Sequence, residues 1–212
     1  MVHTGREIDE LGVGIMGKSI YIVLTDTGTL LSKAIGMYTR KDLNHASIAF
    51  DEHLTDIYSF GRKQQYNPFI GGFVRENVTD GIFRDADCAI YRCEVSTEAY
   101  MRIRQKVRMF ELNQKMYKYN FIGLFGVALN KEIRRKRAFF CSQFVATVMQ
   151  ESENHRLGTT PSLTMPHHLV DMPHLELVYE GELQHYLNTT RGPVETPIRI
   201  GLLKSLAFRL LA

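Results

Sequence analysis

The sequence predicts a single α+β domain over its 212 residues, and three observations carry that expectation. Short runs of β-branched and aromatic residues, bounded by Asp, Gly and Ser, read as strands. Segments with apolar residues at helical spacing fall among them and read as helices. No internal repeat or low-complexity linker divides the chain, which is long enough to bury a core without disulfide or metal staples.

The elements follow in order. Ser19 to Thr25, a run of Ile, Tyr, Ile, Val and Leu closed by Asp26-Thr27-Gly28, predicts the first strand. Leu30, Leu31, Ala34, Ile35 and Tyr38 predict a helix over Thr29 to Thr39. His45 to Phe50 and Asp56 to Phe60 predict two strands joined by a polar turn around Asp51-Glu52-His53. Gly61 to Asp85 carries Pro68, Gly71, Gly72 and Gly81 and predicts a long loop of the kind that lines a cleft. Cys88 to Val95 predicts a strand. Thr97 to Lys118 predicts the longest helix, with Tyr100, Ile103, Val107, Phe110 and Leu112 near one face. Phe139 to Glu151 predicts a second strong helix. Leu175 to Glu180 and Glu182 to Tyr186 predict a hairpin turning at Gly181, and Gly201 to Leu211 a short amphipathic tail helix.

Composition narrows the classes of function. Hydrophobic residues make up 44% of the chain and charged residues 23%, proportions of a globular protein. The longest apolar run, Phe121 to Leu129, is too short to cross a bilayer. A formal net charge of +3 is mild, and no aromatic-basic repeat is present, so no nucleic-acid partner is expected. The amino terminus has no basic stretch followed by an apolar one, and Cys88, Cys93 and Cys141 are an odd, sparse set. Together these point to a reducing cytoplasm without a disulfide framework. Cys88 and Cys93 are five residues apart in one strand, so they face opposite sides and read as packing thiols.

Ala138 to Val145 is the most informative segment. Phe144, Val145, Val148 and Met149 make an apolar helical face, which places Cys141 in or just before the first turn. Unpaired amides and the helix dipole there favour a thiolate and can hydrogen-bond an oxyanion. The basic run Arg134-Arg135-Lys136-Arg137 adds a favourable field. Packing is the competing reading, because free cysteine is among the most buried residue types. A nucleophile needs a base, and His45 opens a strand directly after Asn44, where its ring can project past the sheet edge towards a helix terminus.

The strand Asn44-His45-Ala46-Ser47-Ile48-Ala49-Phe50, with Phe140-Cys141-Ser142-Gln143-Phe144-Val145 far downstream, resembles the circularly permuted branch of the NlpC-type papain-like cysteine hydrolases. Tyr119-Asn120-Phe121 resembles the Tyr-Asp/Asn segment that precedes the cysteine helix in that family. The resemblance implies a papain-like antiparallel sheet packed against the cysteine helix, and amide, peptide or lipid-acyl substrates. It also implies a third polar residue on the strand after the histidine. Matching the two strands with a longer turn sets Ser59 opposite His45, with Tyr58 on the other side of the strand as the less favoured partner. A hydroxyl stabilises an imidazolium less than a carboxylate does.

Other signals compete. His167, Asp171 and His174 share one face of an ideal helix, but Pro173 breaks it, and no zinc-type cysteine spacing is present, so neither metal nor cofactor is expected. Lys131 to Arg137 reads first as a solvated loop or helix end, and otherwise as an attractor of an acidic substrate or an anionic membrane. The tail helix reads first as docked on its own domain, with reversible membrane contact as the lesser reading. In the expected reaction Cys141 attacks an acyl carbonyl, His45 moves the proton, Ser59 holds the ring, and Tyr119 with the Cys141 N–H steadies the oxyanion. The expected substrate is a small amide, a peptide or an acyl lipid. Tyr66, Phe69, Ile70 and Phe73 beside Arg62, Lys63 and Arg75 read either as its binding wall or as anchors of the loop. A non-catalytic binding module with the same cleft is the alternative.

Overall fold

The computed structural model describes residues 17–27, 43–64, 67–79 and 81–192. The helices expected over Thr29 to Thr39 and Gly201 to Leu211 lie outside them. The chain forms a mixed α+β structure around a six-stranded sheet. Its strands are β1 (Lys18–Thr25), β2 (His45–Ala49), β3 (Ile57–Gln64), β4 (Asn67–Arg75), β5 (Asp87–Val95) and β8 (Leu175–Glu182). They lie in the order β4-β3-β2-β1-β5-β8, every neighbouring pair antiparallel. Two short strands, β6 (Lys118–Tyr119) and β7 (Ala138–Phe139), pair in parallel beside it.

The central strand explains why the first apolar run is unbroken. Ile20, Ile22 and Leu24 enter one core, with Ile48, Phe60, Phe73 and Cys93. That core is closed by Ile103, Val107 and Phe110 of helix α1 (Thr97–Leu112) and by Phe144, Val145 and Val148 of helix α3 (Cys141–Met149). Tyr21 and Val23 enter the opposite core with Ile57, Cys88 and Ile90, closed by Leu183, Tyr186 and Leu187 of helix α4 (Leu183–Arg191). A strand covered on both faces has no reason to alternate. Cys88 and Cys93 lie in opposite cores, as their odd separation requires, and neither forms a disulfide.

Three elements differ from expectation. The segment expected to be a long loop supplies most of the β3–β4 hairpin. Its breaker residues are tolerated because β4 is an edge strand, where proline need not donate to a ladder and glycines admit a neighbouring backbone. A Cβ on Gly71 would meet the Tyr119 Cβ at 2.8 Å, and one on Gly72 would meet the Tyr117 carbonyl oxygen at 2.8 Å. The expected hairpin at Gly181 is instead one strand followed by a helix. Gly181 pairs with Cys88 at φ +143°, and Leu183, Tyr186 and Leu187 then follow helical spacing onto the sheet. The long helix stops at Leu112, which is exposed, and a 3-10 turn over Gln114–Met116 leads into β6. Among the described residues no helix is long and apolar enough to cross a membrane.

Phe60 is the pivot of the larger core. It is fully buried, and its ring lies 5.2 Å from Phe139, 5.3 Å from Phe144 and 5.7 Å from Phe110. Phe60→Ala is expected to cost about 3–5 kcal/mol. Urea unfolding checks this: the midpoint should fall with the slope unchanged.

Candidate active site

The site is assembled at the ends of three elements. Phe140 is extended, and Cys141 is the first residue of α3, so its own N–H belongs to the set that has no partner within the helix. Burial of Phe144, Val145, Val148 and Met149 against the sheet fixes that helix and therefore its start. His45 is the first residue of β2, held by the pairing of β2 with β1, where Thr25 lies opposite it. Tyr119 is held from two sides. β6 registers it against Phe139, two residues before Cys141, and the bare backbone of Gly71 lets its ring carbon approach β4.

The Cys141 thiol, the His45 ring and the Tyr119 hydroxyl come close enough for each to act on the ionisation of its neighbour. The backbone N–H groups of Ala46 and Ser142 also favour the ionised sulfur. Cys141 is 2% exposed. Burial alone would push its thiol up, but the hydrogen bond and charge of His45, followed by the two backbone donors, hold it below its ordinary value. Tyr119 moves the other way: burial, then the charge and hydrogen bond of Cys141, hold its hydroxyl well above the usual range, so it stays a donor.

The partner of His45 is Glu76, which follows β4. Its Oε1 lies 2.7 Å from His45 Nε2, and its side chain is 4% exposed. Ser59 donates to Glu76 Oε1 at 2.5 Å, and Ser47 donates to Oε2 at 2.5 Å. Burial would raise the Glu76 carboxyl, but the charge and hydrogen bond of His45, then the two serines, hold it below the ordinary value. Burial would likewise lower His45, but the charge of Glu76, the Cys141 hydrogen bond and the Glu76 hydrogen bond lift it to about 10. With Nε2 on the carboxylate, Nδ1 is the ring nitrogen left for the thiol. The result is a buried chain of contacts from thiol to imidazole to carboxylate, arranged to carry an imidazolium between two anions.

Cys141, His45 and Tyr119 thus come together, and Ser59 is corrected. The β2–β3 register pairs Ile48 with Tyr58 and Ala49 with Ile57. Continued, it sets Ser59 opposite Ser47, two residues from the expected place, and its hydroxyl serves the carboxylate rather than the imidazole. Tyr58 packs in the larger core, stacked on Phe73 at 5.7 Å, and bonds Asp56 rather than His45. Glu76 falls in the segment Gly61 to Asp85, for which the sequence predicts a loop. Phe73 is buried, Val74 half-buried and Arg75 exposed, so the residues just before Glu76 show no two-residue alternation from which a strand could be read.

The expected binding wall also separates. Tyr66 lies outside the described residues. Phe73 is a core residue, while Ile70 is 42% exposed and Arg75 bonds the Thr55 carbonyl and pairs with Asp56. Arg62 lies close enough to Tyr119 for its charge to act on the hydroxyl, and Lys63 donates to the Gln114 carbonyl. Downstream, Pro166–Asp171 is a 3-10 helix that ends before His174, so His167, Asp171 and His174 do not share an α-helical face. Comparisons with family models, curated proteins and solved structures find no match to the chain.

The three thiols should therefore differ sharply. Burial, first, and neighbouring acids push Cys88 and Cys93 up to about 12, while Cys141 is lowered. Iodoacetamide at neutral pH, read by peptide mass, is expected to label Cys141 and spare the other two. Glu76→Gln removes the charge that lifts His45, so labelling of Cys141 at pH 7 should slow by about tenfold or more, one pKa unit being about 1.4 kcal/mol. Ser59→Ala should slow it less, because the carboxylate keeps its charge and two of its three contacts. Equal labelling of all three thiols would refute the arrangement.

Proposed function

We propose that the chain is a cysteine hydrolase of the circularly permuted NlpC type, with a papain-like arrangement of sheet and cysteine helix, acting on an amide, peptide or acyl-lipid carbonyl. The observation that carries this reading is the buried contact series Cys141–His45–Glu76 at the start of a helix. Cys141 Sγ attacks the carbonyl carbon, and the thiol proton resides on His45. The oxyanion takes the Cys141 N–H, which has no partner within the helix, and the Tyr119 hydroxyl. His45 gives its proton to the leaving group, and the acyl group remains on sulfur. Water then loses a proton to His45 and attacks the thioester, releasing a carboxylic acid and the thiol. An alcohol or amine in place of that water gives acyl transfer.

The alternative of a binding module rests on a serine as the third residue. A carboxylate at that place, itself held by Ser47 and Ser59, supports catalysis instead. Structural ion pairs also shift pKa values, but they do not require a thiol at a helix start beside a tyrosine donor.

Acylation should depend on pH through both members of the pair. The reactive form has Cys141 ionised and His45 protonated. Its population grows as pH rises through the lowered Cys141 pKa, and is lost as pH approaches the His45 value of about 10. Intact mass after incubation with activated ester, amide and thioester probes is the measurement. One acyl group per chain is expected on the wild type, formed more slowly as pH approaches about 10, and none on Cys141→Ala. Equal acylation of Cys141→Ala, or saturable binding of all probes without acylation, would refute the proposal.

A further inference from the structure

The segment between Tyr119 and Cys141 carries features the site does not use. Helix α2 (Phe121–Ala128) contains no charged residue, yet only part of its circumference is packed. Leu124 and Val127 bury against Phe140 and Met165. Ile122, Phe125 and Leu129 fall at i, i+3 and i+7, one face, and are 53%, 62% and 62% exposed. The chain continues through Lys131, Arg134, Arg135, Lys136 and Arg137, all exposed. With Lys118 these are six cations against the single acid Glu132 between positions 118 and 137, a net +5 in a chain whose total is +3. Glu132 pairs with Arg134 at 2.7 Å, and the other five cations carry no ion pair among the described residues.

We propose that this face docks on an anionic phospholipid bilayer. Ile122, Phe125 and Leu129 supply apolar area to the acyl boundary, and the exposed cations that flank them in the chain meet headgroup phosphates and carboxylates, each worth about 1 kcal/mol near such a surface. A second copy of the chain is a poor occupant, because it would set two dense positive clusters against each other. The helix that carries this face begins beside the site: the ring of Phe121, its first residue, lies 4.6 Å from that of Tyr119. Docking itself does not depend on Cys141. Within the proposed reaction it selects the acyl lipid among the substrate classes.

Sedimentation of the full chain with lipid vesicles tests this. Vesicles of phosphatidylcholine with about 30% phosphatidylserine should bind the protein, phosphatidylcholine alone about tenfold or more weakly, and binding should fall as salt is raised. Phe125→Ser with Leu129→Ser, and separately Arg135→Glu with Lys136→Glu, change exposed side chains only, and each should weaken binding about tenfold or more. Cys141→Ala should bind like the wild type, which separates failure of docking from failure of catalysis. The proposal is overturned if anionic vesicles fail to sediment the wild type. It is overturned equally if the double serine variant binds unchanged, or if the wild type is a dimer that this variant dissolves.

Discussion

A buried carboxylate organises this protein. Removing Glu76 from water costs several kcal/mol unless the charge is met inside, and here the imidazole of His45 and the hydroxyls of Ser47 and Ser59 meet it. The consequence runs along the contact series. An anion at Nε2 makes a protonated ring stable in a place where burial alone would discharge it, and the protonated ring makes a thiolate stable where burial alone would suppress it. No single member would hold its charge in that environment by itself. The three titratable groups come from the end of β4, the start of β2 and the start of α3, so the site exists only when the hairpin, the sheet and the helix have all formed.

Close backbone approach is the second constraint. Gly71 and Gly72 lie in an edge strand, where larger residues would favour a stiffer ladder, and the space they leave admits Tyr117 and Tyr119. The short parallel pairing of β6 with β7 then fixes Tyr119 relative to Phe139, and Phe139 is two residues from Cys141. A donor far from the nucleophile in sequence is thereby set on the sulfur through backbone geometry. The same connection carries α2 and the basic loop, so the segment that positions Tyr119 also presents an apolar and cationic surface beside it.

The legible part of the site is the part that sits at element boundaries. Cys141 could be placed because four apolar residues at helical spacing follow it, and His45 because a β-type run begins with it. Glu76 could not, because Pro68, Gly71 and Gly72 mask the period of the strand that ends beside it; they are tolerated there because that strand lies at the sheet edge and must receive a neighbouring backbone. The sequence sets Ser59 on the strand and face where it lies, but two residues out of register, since side-chain alternation fixes the face while the turn fixes the register. Gly181 misled for a related reason. A glycine between two β-type runs signals a turn unless the second run also fits a helix, as Leu183, Tyr186 and Leu187 do.

The number of donors on the Cys141 sulfur has a chemical implication for the proposed reaction. His45, Tyr119 and the N–H groups of Ala46 and Ser142 all favour a charged sulfur, and such stabilisation by itself makes a nucleophile less reactive. It becomes useful only if some of those donors leave the sulfur as its charge moves to the substrate. The two backbone donors are fixed by the strand and the helix. The Tyr119 ring is held by β6 and Gly71, but its hydroxyl hydrogen turns about the C–O bond, and burial beside the thiol keeps it protonated. As the carbon–sulfur bond forms, negative charge passes to the carbonyl oxygen, and a mobile hydroxyl can follow it there. The Cys141 N–H, with no helical partner, is already in place. Fixed donors thus favour the ionised starting state, while the mobile one serves the transition state, and only that difference lowers a barrier.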